Sequence, residues 1–201
     1  MDNICIFEDG IYENFLPLTY SRPIFELRCG FKNLREKIEF FFPDATLYLL
    51  MRDYLKSLFS EGNLFLKESI KGDILFINGR LIMKERPEIK EEGVYYFNNE
   101  IALIYIKEKT LNEISISGYG DIEKLIKKGL KEFKISNVKL IRYPWDIINE
   151  NSNEIKREFS IYCSKKSINS IDIDIKGDKE LVFIGNGVEA EKNIVFDVIN
   201  G

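Results

Sequence analysis

Short apolar runs ending in turn residues alternate with segments of helical spacing up to roughly residue 150, and this alternation limits the fold more than any other feature. Ile4 to Phe7 reads as a buried first strand that stops at Glu8-Asp9-Gly10. Asn33 to Phe42 has apolar residues at Leu34, Ile38, Phe41 and Phe42, which is helical spacing, and Pro43-Asp44 ends it. Thr46 to Leu50 predicts a second strand, and Arg52 to Phe59 a helix that turns Tyr54, Leu55 and Leu58 inward. Asp73 to Ile77 is a third buried strand, closed by Asn78-Gly79-Arg80. Gly93 to Phe97 and Ile101 to Ile106 predict a strand pair joined at Asn98-Asn99. Ile122 to Phe133 reads as an amphipathic helix and Val138 to Ile141 as a strand. Pro144-Trp145-Asp146 opens a last helix running to about Phe159. Strands that alternate with helices pack as a mostly parallel α/β sheet covered on both faces. Ligands of such sheets bind at the carboxyl ends of the strands, so the turns at Glu8-Asp9-Gly10 and Asn78-Gly79-Arg80 become the candidate site.

The pattern changes after about Lys165. Ile184, Ala190 and Phe196 form one column of a six-residue rhythm, and Val188 and Ile194 a second. That period predicts the first turns of a left-handed parallel β-helix. The competing reading is a β-hairpin around Gly185-Asn186-Gly187. The predicted organisation is an α/β domain over residues 1–164 and the start of the β-helix over 165–201. One coil cannot bury its own face, so a longer protein is expected.

Hydrophobic residues make up 45% of the chain and charged residues 31%, enough apolar material for a sizeable core. The net charge of −4 does not draw a polyanion toward the surface, which argues against a general nucleic-acid binder. Cys5, Cys29 and Cys163 lack any metal-type spacing and read as free thiols. No apolar run approaches the roughly 20 residues of a membrane helix, and the N-terminal run is broken by Glu8 and Asp9. A cytoplasmic protein is expected. The chain contains no histidine. That excludes Ser-His-Asp and Cys-His catalysis and zinc–histidine chemistry. Chemistry must rest on carboxylates, Lys, Arg, backbone dipoles or a bound metal, a set that suits phosphoryl-type transfer.

One segment carries a resemblance. Leu16-Pro17-Leu18-Thr19, Arg22-Pro23 and Gly30 with Leu34 and Ile38 follow the pattern "PLT…RPK…L…G…LL…I" of sugar-1-phosphate nucleotidyltransferases. Asn78-Gly79 stands where that family has "NGD", and Tyr143-Pro144-Trp145-Asp146 resembles its "PWDLLEAN" helix start. The sequence is most similar to a divergent, GlmU-like branch with "LPLTxxRPxxELRxG", "NGR" and "YPWD", in which a β-helix follows. The chain departs from the classical pattern at three places. Only Gly10 remains of the Gly-rich loop, Ile24 stands at the catalytic Lys, and Arg80 stands at the metal-binding Asp.

The resemblance implies a Rossmann-like (GT-A-like) nucleotidyltransferase fold with a mixed sheet flanked by helices. It implies transfer of a nucleoside monophosphate, from UTP or dTTP, to a sugar 1-phosphate with release of pyrophosphate. Arg22 and Arg28 are then the candidate catalytic residues, clamping phosphate. Asp9, Gly10, Asn78, Gly79 and Arg80 are the candidate nucleotide- and phosphate-binding residues, and no protein metal ligand is assigned. Mg²⁺ is expected with the NTP, and trimers through the β-helix. Asp146 reads as a helix N-terminal charge or a distant metal partner, and Trp145 as core packing. The alternative is a degenerate domain that binds or senses a nucleotide sugar without making one. The β-helix of relatives also raises acyl transfer, which needs a histidine there and is not expected.

Overall fold

The computed structural model describes residues 1–59, 64–65, 70–114, 116, 119–162, 173–185, 187–189, 191 and 193–199. In chain order the strands are β1 (Asn3–Phe7), β2 (Arg28–Cys29), β3 (Lys32–Asn33), β4 (Thr46–Leu50), β5 (Leu64–Phe65), β6 (Ile74–Asn78) and β7 (Leu81–Ile82). β8 (Gly93–Phe97), β9 (Glu100–Ile106), β10 (Glu132–Lys134), β11 (Lys139–Leu140), β12 (Asp174–Lys176) and β13 (Val195–Asp197) follow. The helices are α1 (Leu34–Phe41), α2 (Asp53–Lys56), α3 (Glu108–Leu111), α4 (Ile122–Ile126) and α5 (Pro144–Tyr162). The chain divides into two compact units, Met1–Asn151 and Ser152–Gly201.

The first unit is built on a seven-stranded mixed sheet in the order β10-β8-β9-β6-β1-β4-β5. β6, β1, β4 and β5 run parallel, whereas β9 is antiparallel to both β6 and β8. β1 is buried along its whole length. Successive side chains point to opposite faces. Ile4 and Ile6 therefore join a cluster with Leu34 and Ile38 of α1, while Cys5 and Phe7 join a second with Leu111, Ile122 and Leu125. Each Ile, Leu or Phe among them contributes roughly 1.5–3 kcal/mol when fully buried. Cys5 and Cys29 are both buried, and burial pushes the Cys5 thiol up. Cys163 lies outside the described residues.

α1 begins at a capping box: Asn33 Oδ1 accepts from Glu36 N at 2.7 Å and Glu36 Oε2 accepts from Asn33 N at 2.8 Å. The β8–β9 turn puts Asn98 at φ 48° and Asn99 at φ 64°, the left-handed pair a tight hairpin needs. Two predicted helices are much shorter than expected. α2 covers only Asp53–Lys56; Leu55 is buried, but Tyr54 and Leu58 are exposed rather than inward. α4 stops at Ile126, and Gly129 at φ 70° turns the chain away. Phe133 then lies on β10, parallel to β8, where its ring stacks on Tyr95 at 4.9 Å. Trp145 is 57% exposed and stacks on Tyr143 at 4.5 Å, so it is not core packing.

In the second unit β12 and β13 pair in parallel, with Asp174 opposite Val195. A hairpin cannot give a parallel pair, so these two strands do not form the Gly185-Asn186-Gly187 hairpin. Val188 and Phe196 of the predicted columns are exposed, Ile184 and Ile194 are half-buried, and Ala190 lies outside the described residues.

Candidate functional site

The parallel strands β1, β4 and β6 end level with one another, because Phe7 pairs with both Leu50 and Asn78. Glu8-Asp9, Met51-Arg52 and Gly79-Arg80 therefore leave the sheet along one edge. The chain passes from β1 outward to β4 and β5 and then returns to β6 on the other side of β1. Between β1 and β6 the order reverses, which is where open α/β sheets leave a ligand crevice. Gly79 N donates to Phe7 O at 2.8 Å across this gap. A Cβ at Gly79 would sit 2.8 Å from Phe25 Cδ1 and 3.1 Å from Phe7 O, so the close approach requires glycine.

Asp9 is the hub of the edge. Its Oδ1 caps the 3₁₀ turn Gly10–Phe15 by accepting from Ile11 N at 3.2 Å. Arg80 Nε lies 3.0 Å from both Asp9 oxygens, and Arg80 Nη2 lies 2.8 Å from Oδ2. Arg80 Nη2 also donates to Glu100 Oε1 at 3.1 Å, and Nη1 to Ile141 O at 2.7 Å. Its side chain is only 1% exposed. Asn78 completes the cluster: Nδ2 donates to Asp9 Oδ2 and to Ile101 O, both at 2.8 Å, and Oδ1 accepts from Arg80 N at 3.0 Å. Asp9, Gly10, Asn78, Gly79 and Arg80, singled out in the sequence, thus come together.

Glu8, one residue earlier, points to the other side. Its Oε2 accepts from Arg52 Nε at 2.8 Å, and its Oε1 from Arg52 Nη2 at 3.1 Å and from Ile24 N at 3.0 Å. Arg52 Nη2 further donates to Thr19 O at 2.7 Å and Arg22 O at 3.1 Å, and its guanidinium lies over the Tyr12 ring at 3.9 Å. This buried pair ties the long loop after β1 back to the sheet. Arg52 and Glu100 were not picked out from the sequence. The rule that flagged the turns after β1 and β6 finds Arg52 when applied equally to the turn after β4.

The edge opens into a cleft of about 490 Å³. Asp9, Gly10 and Arg80 line one side, and Tyr96, Asn99 and Glu100 of the hairpin another. Ile122, Glu123 and Ile126 of α4 form an apolar flank with Ile11 and Ile101. The register of β8 on β9 shifts between Tyr95 and Tyr96, which brings Tyr96 opposite Ile101 at the cleft wall. Burial, and then the Glu132 carboxylate, hold the Tyr96 phenol above its ordinary value, so it is a neutral hydroxyl at the cleft wall near pH 7. An apolar wall with a few fixed polar groups is the usual make-up of a small-molecule site.

Arg22 and Arg28 are not among the residues lining this cleft. Both are exposed; Arg28 Nη1 donates to Phe31 O at 2.5 Å, inside the β2–β3 hairpin. Ile24 is fully buried in the core. Asp146 Oδ2 accepts from Arg142 N at 2.7 Å and Tyr143 N at 3.0 Å, the geometry of a helix-start carboxylate. Among the described residues no group of three or more Asp, Glu, Cys or His residues is arranged to hold a metal ion. The carboxylates of this edge are engaged by guanidinium groups, Glu8 by Arg52 and Asp9 and Glu100 by Arg80. They do not fit a protein-held Mg²⁺.

Loop, acid–guanidinium cluster and cleft at the strand-order reversal define an open α/β protein with a crevice at the carboxyl edge of its sheet. The profile of the sugar nucleotidyl transferase family matches residues 4–167, and the chain belongs to that family. No curated protein sequence matches it. Among solved structures it is similar to the inositol-1-phosphate CTP transferase from T. maritima, at 13% identity and a TM-score of 0.45 over 77% of this chain and 96% of that one. It is also similar to a nucleoside-diphosphate-sugar pyrophosphorylase from Vibrio cholerae RC9, at 11% identity and a TM-score of 0.45 over 76% and 99% of the two chains. No helix among the described residues is long and apolar enough to cross a membrane.

Proposed function

We propose that this chain is a GlmU-like sugar-1-phosphate nucleotidyltransferase that transfers a nucleoside monophosphate, from UTP or dTTP, to a sugar 1-phosphate and releases pyrophosphate. The observation that carries the reading is the crevice between β1 and β6, in a chain whose family match runs over residues 4–167. The Asp9-capped turn at Gly10 lets backbone approach a ligand closely, and the apolar flank of Ile122 and Ile126 suits a base or sugar face. Arg22 and Arg28 are the exposed cations assigned to the phosphates. Mg²⁺ is assigned to the triphosphate itself, since the carboxylates of the edge are engaged. The C-terminal unit is read as the start of a left-handed β-helix that assembles trimers, a reading supported by the parallel β12–β13 pair. We read the protein as cytoplasmic.

A second reading has its own observation. Arg80 gives Nε, Nη1 and Nη2 to Asp9, Glu100 and Ile141 O and is buried, so it does not present its charge to a phosphate. That favours a domain that binds a nucleotide sugar without making it. Pyrophosphate release with Mg²⁺, four NTPs and the 1-phosphates of glucose, glucosamine and N-acetylglucosamine separates the two. Release that depends on one NTP–sugar pair and falls in Arg22→Ala/Arg28→Ala supports the enzyme. Nucleotide-sugar binding by calorimetry without release supports the binding domain.

A further inference from the structure

We propose that Arg80 is a built-in cation of the crevice, fixed between Asp9 and Glu100 where two carboxylates would otherwise share a divalent metal, and that the protein holds no metal at this edge. The inference deepens the reading of the cleft as the nucleotide-sugar site. The geometry carries it. Both Asp9 oxygens lie within 3.0 Å of an Arg80 nitrogen, and Glu100 Oε1 lies 3.1 Å from Nη2. A divalent ion bound to these oxygens at the roughly 2.0–2.6 Å of hard-cation ligation would share them with a guanidinium. Two like charges would then face each other in a partly water-excluded site, where repulsion is poorly screened.

Arg80 cannot swing away to make room. It is 1% exposed, Nη1 is held by Ile141 O, and its backbone N is held by Asn78 Oδ1. A buried guanidinium deprived of its carboxylates would be a buried unpaired charge, so the cluster resists metal entry. Arg142 Nε, 3.6 Å from Glu100 Oε2, adds further positive charge beside the second carboxylate. Asp9 and Glu100 keep partial exposure, 25% and 19%, toward the cleft. Held in place but not saturated, they act as hydrogen-bond acceptors for hydroxyl groups of a ligand. Arg80 is thus a positioning residue that orients two acceptors.

The test is a Mn²⁺ titration of the full chain followed by electron paramagnetic resonance, with no nucleotide present. The proposal expects wild type to show no Mn²⁺ site that Asp9→Asn or Glu100→Gln removes. It expects Arg80→Asp, which sets a third carboxylate between the two, to bind Mn²⁺ at least about tenfold more tightly than wild type. A wild-type Mn²⁺ site lost in Asp9→Asn overturns the proposal, as does a folded Arg80→Asp protein with no gain. If Arg80→Asp does not fold, the wild-type and Asp9→Asn comparison decides alone. Failure of the crevice to bind nucleotide sugar counts against the functional reading and leaves the Mn²⁺ result unchanged.

Discussion

Arg52 lays its guanidinium across the carboxylate of Glu8, Nε 2.8 Å from Oε2 and Nη2 3.1 Å from Oε1, with the Glu8 side chain fully buried and Arg52 7% exposed. The same guanidinium holds Thr19 O and Arg22 O, so one side chain fixes both β1 and the loop that follows it. Removing one partner of a buried pair leaves the other charge uncompensated, which costs about 3–5 kcal/mol. Arg52→Met is expected to lose that much in urea unfolding. Adding Glu8→Gln is expected to recover part of it, because the orphaned charge is removed. Equal losses in the single and double variants would show that the pair is not the anchor.

Gly79→Ala is expected to destabilise by about 1–3 kcal/mol, the usual cost of overpacking. The new methyl meets the buried Phe25 ring and Phe7 O, neither of which yields freely. Combining Gly79→Ala with Phe25→Leu is expected to be non-additive, because the ring is the nearest obstruction. Denaturant midpoints of the three variants check this.

Tyr105 Oη donates to Asp73 Oδ2 at 2.5 Å. That bond, reinforced by burial, pushes the Tyr105 phenol up to about 12. The bond, followed by Glu108 N, holds the Asp73 carboxyl below its ordinary value. A phenol raised in the folded state contributes stability that is whole below its unfolded value of about 10 and is lost as pH rises toward about 12. A carboxyl lowered in the folded state contributes stability present above about 3.9 and lost as pH falls through its folded value. Ultraviolet titration is expected to show the Tyr105 phenol ionising late and returning toward about 10 in Asp73→Asn. No change in that variant would contradict the pairing.

The centre of the sheet was legible because β1, β4, β6, β8 and β9 each write themselves as a short apolar run with its own turn. Ile4 to Phe7, Thr46 to Leu50 and the Asn98-Asn99 hairpin all lie where the sequence puts them. The antiparallel β9 was legible as a strand, but its insertion beside β6 follows from long-range pairing that no local pattern encodes. The helix predicted through Phe133 failed at Gly129, whose left-handed backbone outweighs the apolar spacing around it. At the site, position was readable and partnership was not. The turns after β1 and β6 marked Asp9 and Arg80, but nothing in the spacing of residues 9, 80 and 100 reveals that their side chains neutralise one another. A lone Trp is usually buried, but Trp145 has Tyr143 as a stacking partner on the surface, which no sequence pattern shows.

A ligand held in the crevice between β1 and β6 would shield the loops at its mouth from solvent. Hydrogen exchange of the full chain with and without a uridine or thymidine nucleotide sugar, binding having been established by calorimetry, reads that shielding. Slowed exchange is expected at the Glu8–Ile11 loop and at the Asn98–Ile101 turn. Unchanged exchange at both, with ligand bound and protection elsewhere, would contradict binding in that crevice.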